Sequence, residues 1–292
     1  MSRSCAVFYS PGAKATVPKL KKYFQTYGLE AQFFPIAECQ RRASGLAVDV
    51  LVAAGGDGTV NCVASEGYRL GKPLAVIPLG TLNHFARDMG LPLTLPEAVE
   101  VVAQGRTEVV DLATVNDLVF LNNSSIGLYT NIVRVRERLE RSVGKWPAAL
   151  AALTTVLYRR AHLYDVELTL DDQSFHCKTS LLFVGNNYYR LNGFGLPSRD
   201  TLWDGKLQLY VLRTKRIDRL VITAFCSIVG KRPPEKYLTR YTGAKLKVAF
   251  MNRPKAWVSR DGEISQCTTP LSYALHAGAV TVYTPLLSRS SA

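Results

Sequence analysis

Residues 55–61, Gly-Gly-Asp-Gly-Thr-Val-Asn, combine what phosphate chemistry asks of a loop: backbone freedom, a hydroxyl and a carboxylate. Gly55, Gly56 and Gly58 can turn with φ > 0 and bring backbone N–H groups close to an anion, and Thr59 adds an oxygen donor, with Asn61 following. The helix expected from Thr59 to Tyr68 would aim the positive end of its dipole at the same place. Asp57 cannot attract phosphate directly, because two anions repel. It acts either through Mg²⁺, which is the role expected here, or by accepting N–H bonds that fix the loop. The spacing fits neither the G-x-G-x-x-G nor the G-x-x-x-x-G-K-[ST] loop, and a glycine cluster behind a strand also serves as a plain tight turn.

A second string repeats the chemistry. Lys72 to Leu79 reads as a buried strand that runs into Gly80-Thr81-Leu82-Asn83-His84, again a glycine and a hydroxyl opening a helix. Two further carboxylates sit in Asp-Gly strings, Asp261-Gly262-Glu263 and Asp204-Gly205-Lys206-Leu207. Asp-Gly is the commonest hairpin turn, so each reads either as a turn or as a placed carboxylate.

The elements that must position these residues change character along the chain. Up to residue 110 strands alternate with helices, beginning at Cys5 to Tyr9 and Val17 to Tyr27 and continuing through the two glycine-ended strands. That alternation predicts a parallel sheet covered on both faces, whose ligands sit at the carboxyl ends of the strands. After Asp111 the runs are β-rich: Leu118 to Asn122, Tyr164 to Leu170, Ser174 to Val184, Lys206 to Leu212, Lys245 to Phe250, Ala256 to Ser259, Leu271 to Ala277 and Val280 to Tyr283. Helical stretches at Tyr129 to Arg160 and Asp218 to Val229 interrupt them.

Taken together, Gly-Gly-Asp-Gly-Thr, Pro-Leu-Gly-Thr-Leu-Asn with Phe85-Ala86-Arg87-Asp88-Met89-Gly90, Asp111-Leu112, Phe120 to Gly127, Leu202 to Leu207 and Asp261-Gly262-Glu263 resemble the diacylglycerol kinase catalytic domain. The likeness is specifically to the soluble bacterial lipid kinases related to sphingosine kinases, and it runs over nearly the whole chain. It implies an α/β plus all-β protein: an N-terminal three-layer α/β nucleotide-binding domain, residues 1–110, and a C-terminal β-sandwich lipid-binding domain, residues 111–292, leaving open a return of the last segment to the first domain. It implies that both glycine strings bind ATP, with Gly80, Thr81 and Asn83 lining the side facing Gly55 to Asn61. It also implies Glu263 as general base at the domain interface, with Asp57 as its catalytic companion. A structural Mg²⁺ is implied at Asp204 with Thr201 and Lys206, and Asp111 is a further candidate in the acidic network. The chain departs from the family in Tyr9-Ser10-Pro11-Gly12-Ala13-Lys14, which lacks the usual Asn-Pro-x-Ser-Gly order, and in His84, where many relatives carry Asp.

Composition bounds the rest. The chain has 292 residues, 47% hydrophobic, and a net charge of +13. Residues 213–255 hold twelve Lys or Arg against Asp218 and Glu235, while residues 1–110 are nearly balanced at eleven against nine. Arg134, Arg136, Arg138, Arg141, Lys145, Arg159 and Arg160 form a second basic concentration. Such surfaces either aid solubility or meet an anionic membrane. No nucleic-acid motif accompanies them, so no nucleic acid is expected. The six cysteines form no C-x-x-C pair and read as inert thiols. With no signal-peptide order at the start and no apolar run longer than Trp146 to Tyr158, the expected location is the cytoplasm, peripheral to the membrane. The expectation is an ATP- and Mg²⁺-dependent lipid kinase acting on a diacylglycerol-like or sphingoid lipid, with a homodimer left open. An enzyme like NAD kinase, or a non-catalytic nucleotide or lipid sensor, stands as the alternative.

Overall fold

The computed structural model describes residues 3–128, 130–131, 162–190, 198–199, 201–214 and 237–285. The chain divides into two compact units, residues 1–112 with 276–292, and residues 113–275. The helices expected at Tyr129 to Arg160 and Asp218 to Val229 lie outside the described residues, save for Thr130 and Asn131.

Unit 1 opens with β1 (Ser4–Tyr9), α1 (Val17–Thr26), β2 (Glu30–Pro35), α2 (Cys39–Arg42), β3 (Val50–Gly55), α3 (Asp57–Leu70), β4 (Leu74–Pro78), α4 (His84–Asp88) and α5 (Leu95–Gln104). The strands pair in parallel in the order β2-β1-β3-β4. β3 and β4 are buried at every position, as the absence of polar alternation in Val-Leu-Val-Ala-Ala-Gly and Leu-Ala-Val-Ile-Pro requires of strands covered on both faces. One face, with Val7, Val52, Ala54 and Ile77, packs on Leu20 and Phe24 of α1 and on Val99 and Val102 of α5. α3 packs on β3 and β4 from the other side. These are the three layers of a doubly wound sheet. Its direction of winding reverses between β1 and β3, where such sheets open a crevice.

β5 (Thr107–Val115) carries the chain into unit 2, and β18 (Leu271–Tyr283) brings it back, pairing in parallel with β4 through Val282 and Leu74. Unit 2 also holds β6 (Leu118–Phe120), β7 (Asn123–Gly127), β8 (Tyr164–Leu170), β9 (Gln173–Thr179), β10 (Leu181–Asn186), β11 (Tyr189–Arg190), β12 (Ser198–Arg199), β13 (Leu207–Leu212), β14 (Leu238–Gly243), β15 (Lys245–Phe250), β16 (Lys255–Arg260) and β17 (Glu263–Thr268). Six strands form an antiparallel sheet in the order β14-β13-β10-β7-β16-β17. The unit 2 part of β18 continues the antiparallel order β18-β15-β8-β9 in a second sheet. Leu182, Val184, Leu207, Leu209, Val211 and Val258 of the first sheet share one core with Val166, Leu168, Leu246, Val248 and Leu271 of the second. This is a β-sandwich, and the expected pairing of an α/β unit with an all-β unit is the one found.

Candidate functional site

In unit 1 the loops after β1, β3 and β4 leave the same edge of the sheet. The chain turns directly after β1, with the Ser10 N–H donating to Ala54 O at 3.0 Å and Ala13 N–H to Ser10 O at 3.0 Å. Gly12 and Lys14 of this altered loop are exposed. The two glycine strings lie side by side: Leu79 N–H donates to Gly55 O at 2.9 Å, and a Cβ on Gly56 would come within 3.3 Å of the Gly80 Cα. A Cβ on Gly80 would overlap the Gly56 Cα outright. Packing this close admits only glycine at position 80, independent of any ligand, and leaves little room for a side chain at 56.

Around that contact each predicted residue has a distinct place. Gly56 caps α3, and the first turn of a helix leaves N–H groups without intrahelical acceptors, here on Asp57, Gly58 and Thr59. Thr59 is buried with its side chain over Gly55, and Asn61, two residues further along α3, is buried as well. Gly80, Thr81 and Leu82 are exposed. Asn83, at φ 50°, closes their turn on itself: its Oδ1 accepts the Gly80 N–H at 3.0 Å and its Nδ2 donates to Gly80 O at 2.9 Å.

Asp57 bridges the two strings. Its carboxylate accepts the backbone N–H of His84 and of Phe85, both at 3.2 Å, so it holds the start of α4 beside the start of α3. Of the two roles open to Asp57, bracing the loop is the one its contacts display. His84 takes part through its backbone, so the Asp-to-His departure leaves this brace untouched.

Unit 2 carries Glu263. Asp261 and Gly262, at φ 46° and 88°, form a two-residue turn between β16 and β17, with Arg260 paired to Glu263 across it. Both central residues at positive φ define a type I′ hairpin. The Asp-Gly string is therefore a turn, and Glu263 is the exposed first residue of the edge strand beyond it. Sequence reasoning passed over Asp261 itself. Its Oδ2 accepts Leu121 N–H at 2.7 Å and its Oδ1 accepts Asn122 and Asn123 N–H at 2.8 and 3.0 Å. The partners lie about 140 residues away in sequence, so no local pattern could have pointed to them.

Asp204 also lies in unit 2. Its Oδ1 accepts the Thr201 hydroxyl and its Oδ2 the Tyr188 N–H at 3.2 Å. Its own N–H donates to Asn187 Oδ1 at 3.1 Å, and Asn187 N–H donates to Lys206 O at 3.1 Å. The fully buried Asn187, at φ 70°, thus ties Asp204 to Lys206, a connection missed in the sequence. A carboxylate with lone pairs to spare, a hydroxyl and a carbonyl make an all-oxygen set that fits a hard cation such as Mg²⁺. Asp111 belongs to unit 1, where it is buried and accepts the Gly278 N–H at 2.8 Å.

Unit 1 is thus a parallel sheet whose winding reverses between β1 and β3, with glycine strings following the adjacent strands β3 and β4, and unit 2 is a β-sandwich. Residues 12–115 match the model of the diacylglycerol kinase catalytic domain. A Yersinia enterocolitica protein named a probable lipid kinase, YegS-like, is 32% identical over 193 residues, covering 63% of this chain and 64% of that protein. A Staphylococcus saprophyticus diacylglycerol kinase is 26% identical over 199 residues, covering 63% and 65%. The chain thus spans less than two thirds of the length of each of these two relatives. A solved diacylglycerol kinase from Bacillus anthracis superposes with a TM-score of 0.67 at 22% identity, covering 98% of both chains. At that identity the likeness is one of fold.

Proposed function

We propose that this protein is an ATP-dependent lipid kinase that transfers the γ-phosphoryl group to a hydroxyl of a diacylglycerol-like or sphingoid lipid at a membrane surface. The observation that carries the reading is the abutting pair Gly56 and Gly80, braced by Asp57 through the N–H groups of His84 and Phe85. A phosphate chain needs backbone donors converging from two sides, and this packing brings two strand ends together at the sheet edge where anions bind.

ATP, when bound, supplies the phosphoryl group. Backbone N–H groups at Gly55, Gly56, Gly58 and Thr59 would hold its phosphates, with Gly80, Thr81 and Asn83 on the facing side. Glu263 would take the proton from the lipid hydroxyl, a role that suits a carboxylate at the start of an edge strand, open to an incoming acceptor. Asp204, Thr201 and the Lys206 carbonyl would hold Mg²⁺. Among the described residues no helix is long and apolar enough to cross a membrane, which is consistent with peripheral attachment.

The test is ATP- and Mg²⁺-dependent transfer of labelled phosphate into a panel of lipids in anionic micelles, with NAD as a parallel acceptor and Glu263→Gln as control. Label should enter one lipid class and fall at least about a hundredfold in the control. Label in NAD would select an enzyme like NAD kinase, and ATP binding without transfer to any acceptor would select a sensor.

A further inference from the structure

We infer that Asp261 is the positioning residue for Glu263, an inference that rests on the lipid kinase reading in taking Glu263 as the base. The corner between β6 and β7, residues Leu121 to Asn123, has its backbone polar groups accounted for one by one. All three N–H groups go to the Asp261 carboxylate. The Asn123 carbonyl accepts the Asp261 N–H at 2.9 Å. The Leu121 carbonyl accepts Arg199 Nη1 at 2.6 Å and Asn186 Nδ2 at 2.9 Å, and the Asn122 carbonyl accepts the Asn186 N–H at 2.9 Å. Arg199 Nη2 also reaches Asn122 Oδ1 at 2.8 Å. One side of the corner is gripped by the Asp261 turn and the other by a buried guanidinium and a buried amide.

That arrangement, together with the pairing of Glu263 to Arg260, bears on where Glu263 stands. β17 is an edge strand whose neighbour in the sheet is β16, joined to it by a two-residue turn. The β16 side of this hairpin tip is held by Arg260, which pairs with Ser124 of β7 and donates from Nη1 to Val119 O at 2.9 Å, whereas β17 has no strand on its outer side. The Asp261 carboxylate ties the tip to a corner that Arg199 and Asn186 hold from behind, and Glu263 is two residues from the tie. The line of support runs from Arg199 and Asn186 through Leu121 to Asn123, then through Asp261 to Glu263. A carboxylate suits the task because it accepts without donating; an amide at 261 would turn an NH₂ group toward N–H donors.

The experiment is a double-mutant cycle on the full chain, read as phosphoryl transfer, with Asp261→Asn, Glu263→Gln and the pair. Asp261→Asn should lower kcat by about a hundredfold, the scale of a small misplacement of a reacting group, with KM for ATP within about twofold of wild type. If Asp261 acts through Glu263, the pair should be no slower than Glu263→Gln alone. Wild-type kcat in Asp261→Asn, or losses that multiply in the pair, would overturn the inference. A wild-type rate in Glu263→Gln would instead sink the reading of Glu263 as base. Hydrogen exchange separates the cases without activity: the amides of Leu121, Asn122 and Asn123 should exchange at least about tenfold faster in Asp261→Asn, while those of Leu182 to Val184 hold. Should Asp261→Asn fail to fold, Arg199→Lys carries the same test from the other side, because a lysine cannot reproduce the two-pronged grip on Leu121 and Asn122. Its loss of kcat should likewise vanish in the Glu263→Gln background, and a multiplying loss would refute the line of support.

Discussion

Asp57 holds two N–H groups of a neighbouring loop, and this makes its removal a structural as well as a chemical event. Asp57→Ala leaves His84 and Phe85 N–H without their acceptor, which should cost about 1–3 kcal/mol of stability besides abolishing turnover. Asp57→Asn keeps an acceptor oxygen and should lose less stability. Urea unfolding of the three proteins checks this, and an unchanged midpoint in Asp57→Ala would return the residue to a purely metal-linked role. The residue types of the glycine strings were legible in the sequence because their spacing is local. The brace was not, since Asp57 and His84 are joined only by the fold. Asp261 shows the same limit more sharply, with three short bonds across some 140 positions.

At the scale of elements, the glycine contact makes a graded prediction. Gly80→Ala drives a methyl into the Gly56 backbone, whereas Gly56→Ala meets Gly80 at 3.3 Å, a gap that a shift of a few tenths of an ångström relieves. Calorimetric titration with a non-hydrolysable ATP analogue should show binding weakened at least tenfold by Gly80→Ala, on the order of 1.4 kcal/mol, and less by Gly56→Ala. Equal affinities in all three proteins would remove the contact from nucleotide binding. The strands around it were readable as continuous apolar runs. β14 and β17 were not, and they are the two edges of the six-stranded sheet, where Thr239, Arg240, Thr242, Gln266 and Thr268 leave no apolar alternation to detect. β7 was hidden for the opposite reason. Ser124 and Ser125 are fully buried there, satisfied by the Tyr273 hydroxyl and by Thr130, and a hydrophobicity pattern reads buried serines as loop. Ser174 to Val184, read as one run, turns at Ser180 into β9 and β10, while the two runs ending at Tyr283 join as the thirteen-residue β18.

Over the whole molecule the net charge of +13 is concentrated in its second half, where Arg213, Arg240, Lys245, Lys247, Arg253 and Lys255 are all exposed. Met251 and Trp257 are exposed in the same stretch, at 57% and 41%. On the proposed reading the substrate lies at a membrane surface, where each basic group near an anionic leaflet contributes about 1 kcal/mol. Co-sedimentation should therefore show binding to vesicles rich in anionic lipid that falls at least about tenfold between 0.05 and 0.5 M salt, as the screening length shortens. Equal binding to zwitterionic vesicles at both salt concentrations would argue against this route.

The return of β18 to unit 1 carries a consequence for how the protein is made. A ribosome delivers β1 to β4 first, yet the strand beside β4 comes from residues beyond 275, and Thr284 donates back to Arg106 at 3.0 Å. The α/β unit must wait, with that edge of its sheet uncovered, until the entire inserted sandwich has been synthesised. At about 5–20 residues per second this is a delay of roughly ten seconds or more. During that interval β4 is an open template for strand addition, so nascent chains stalled before residue 276 should be the form most dependent on chaperones.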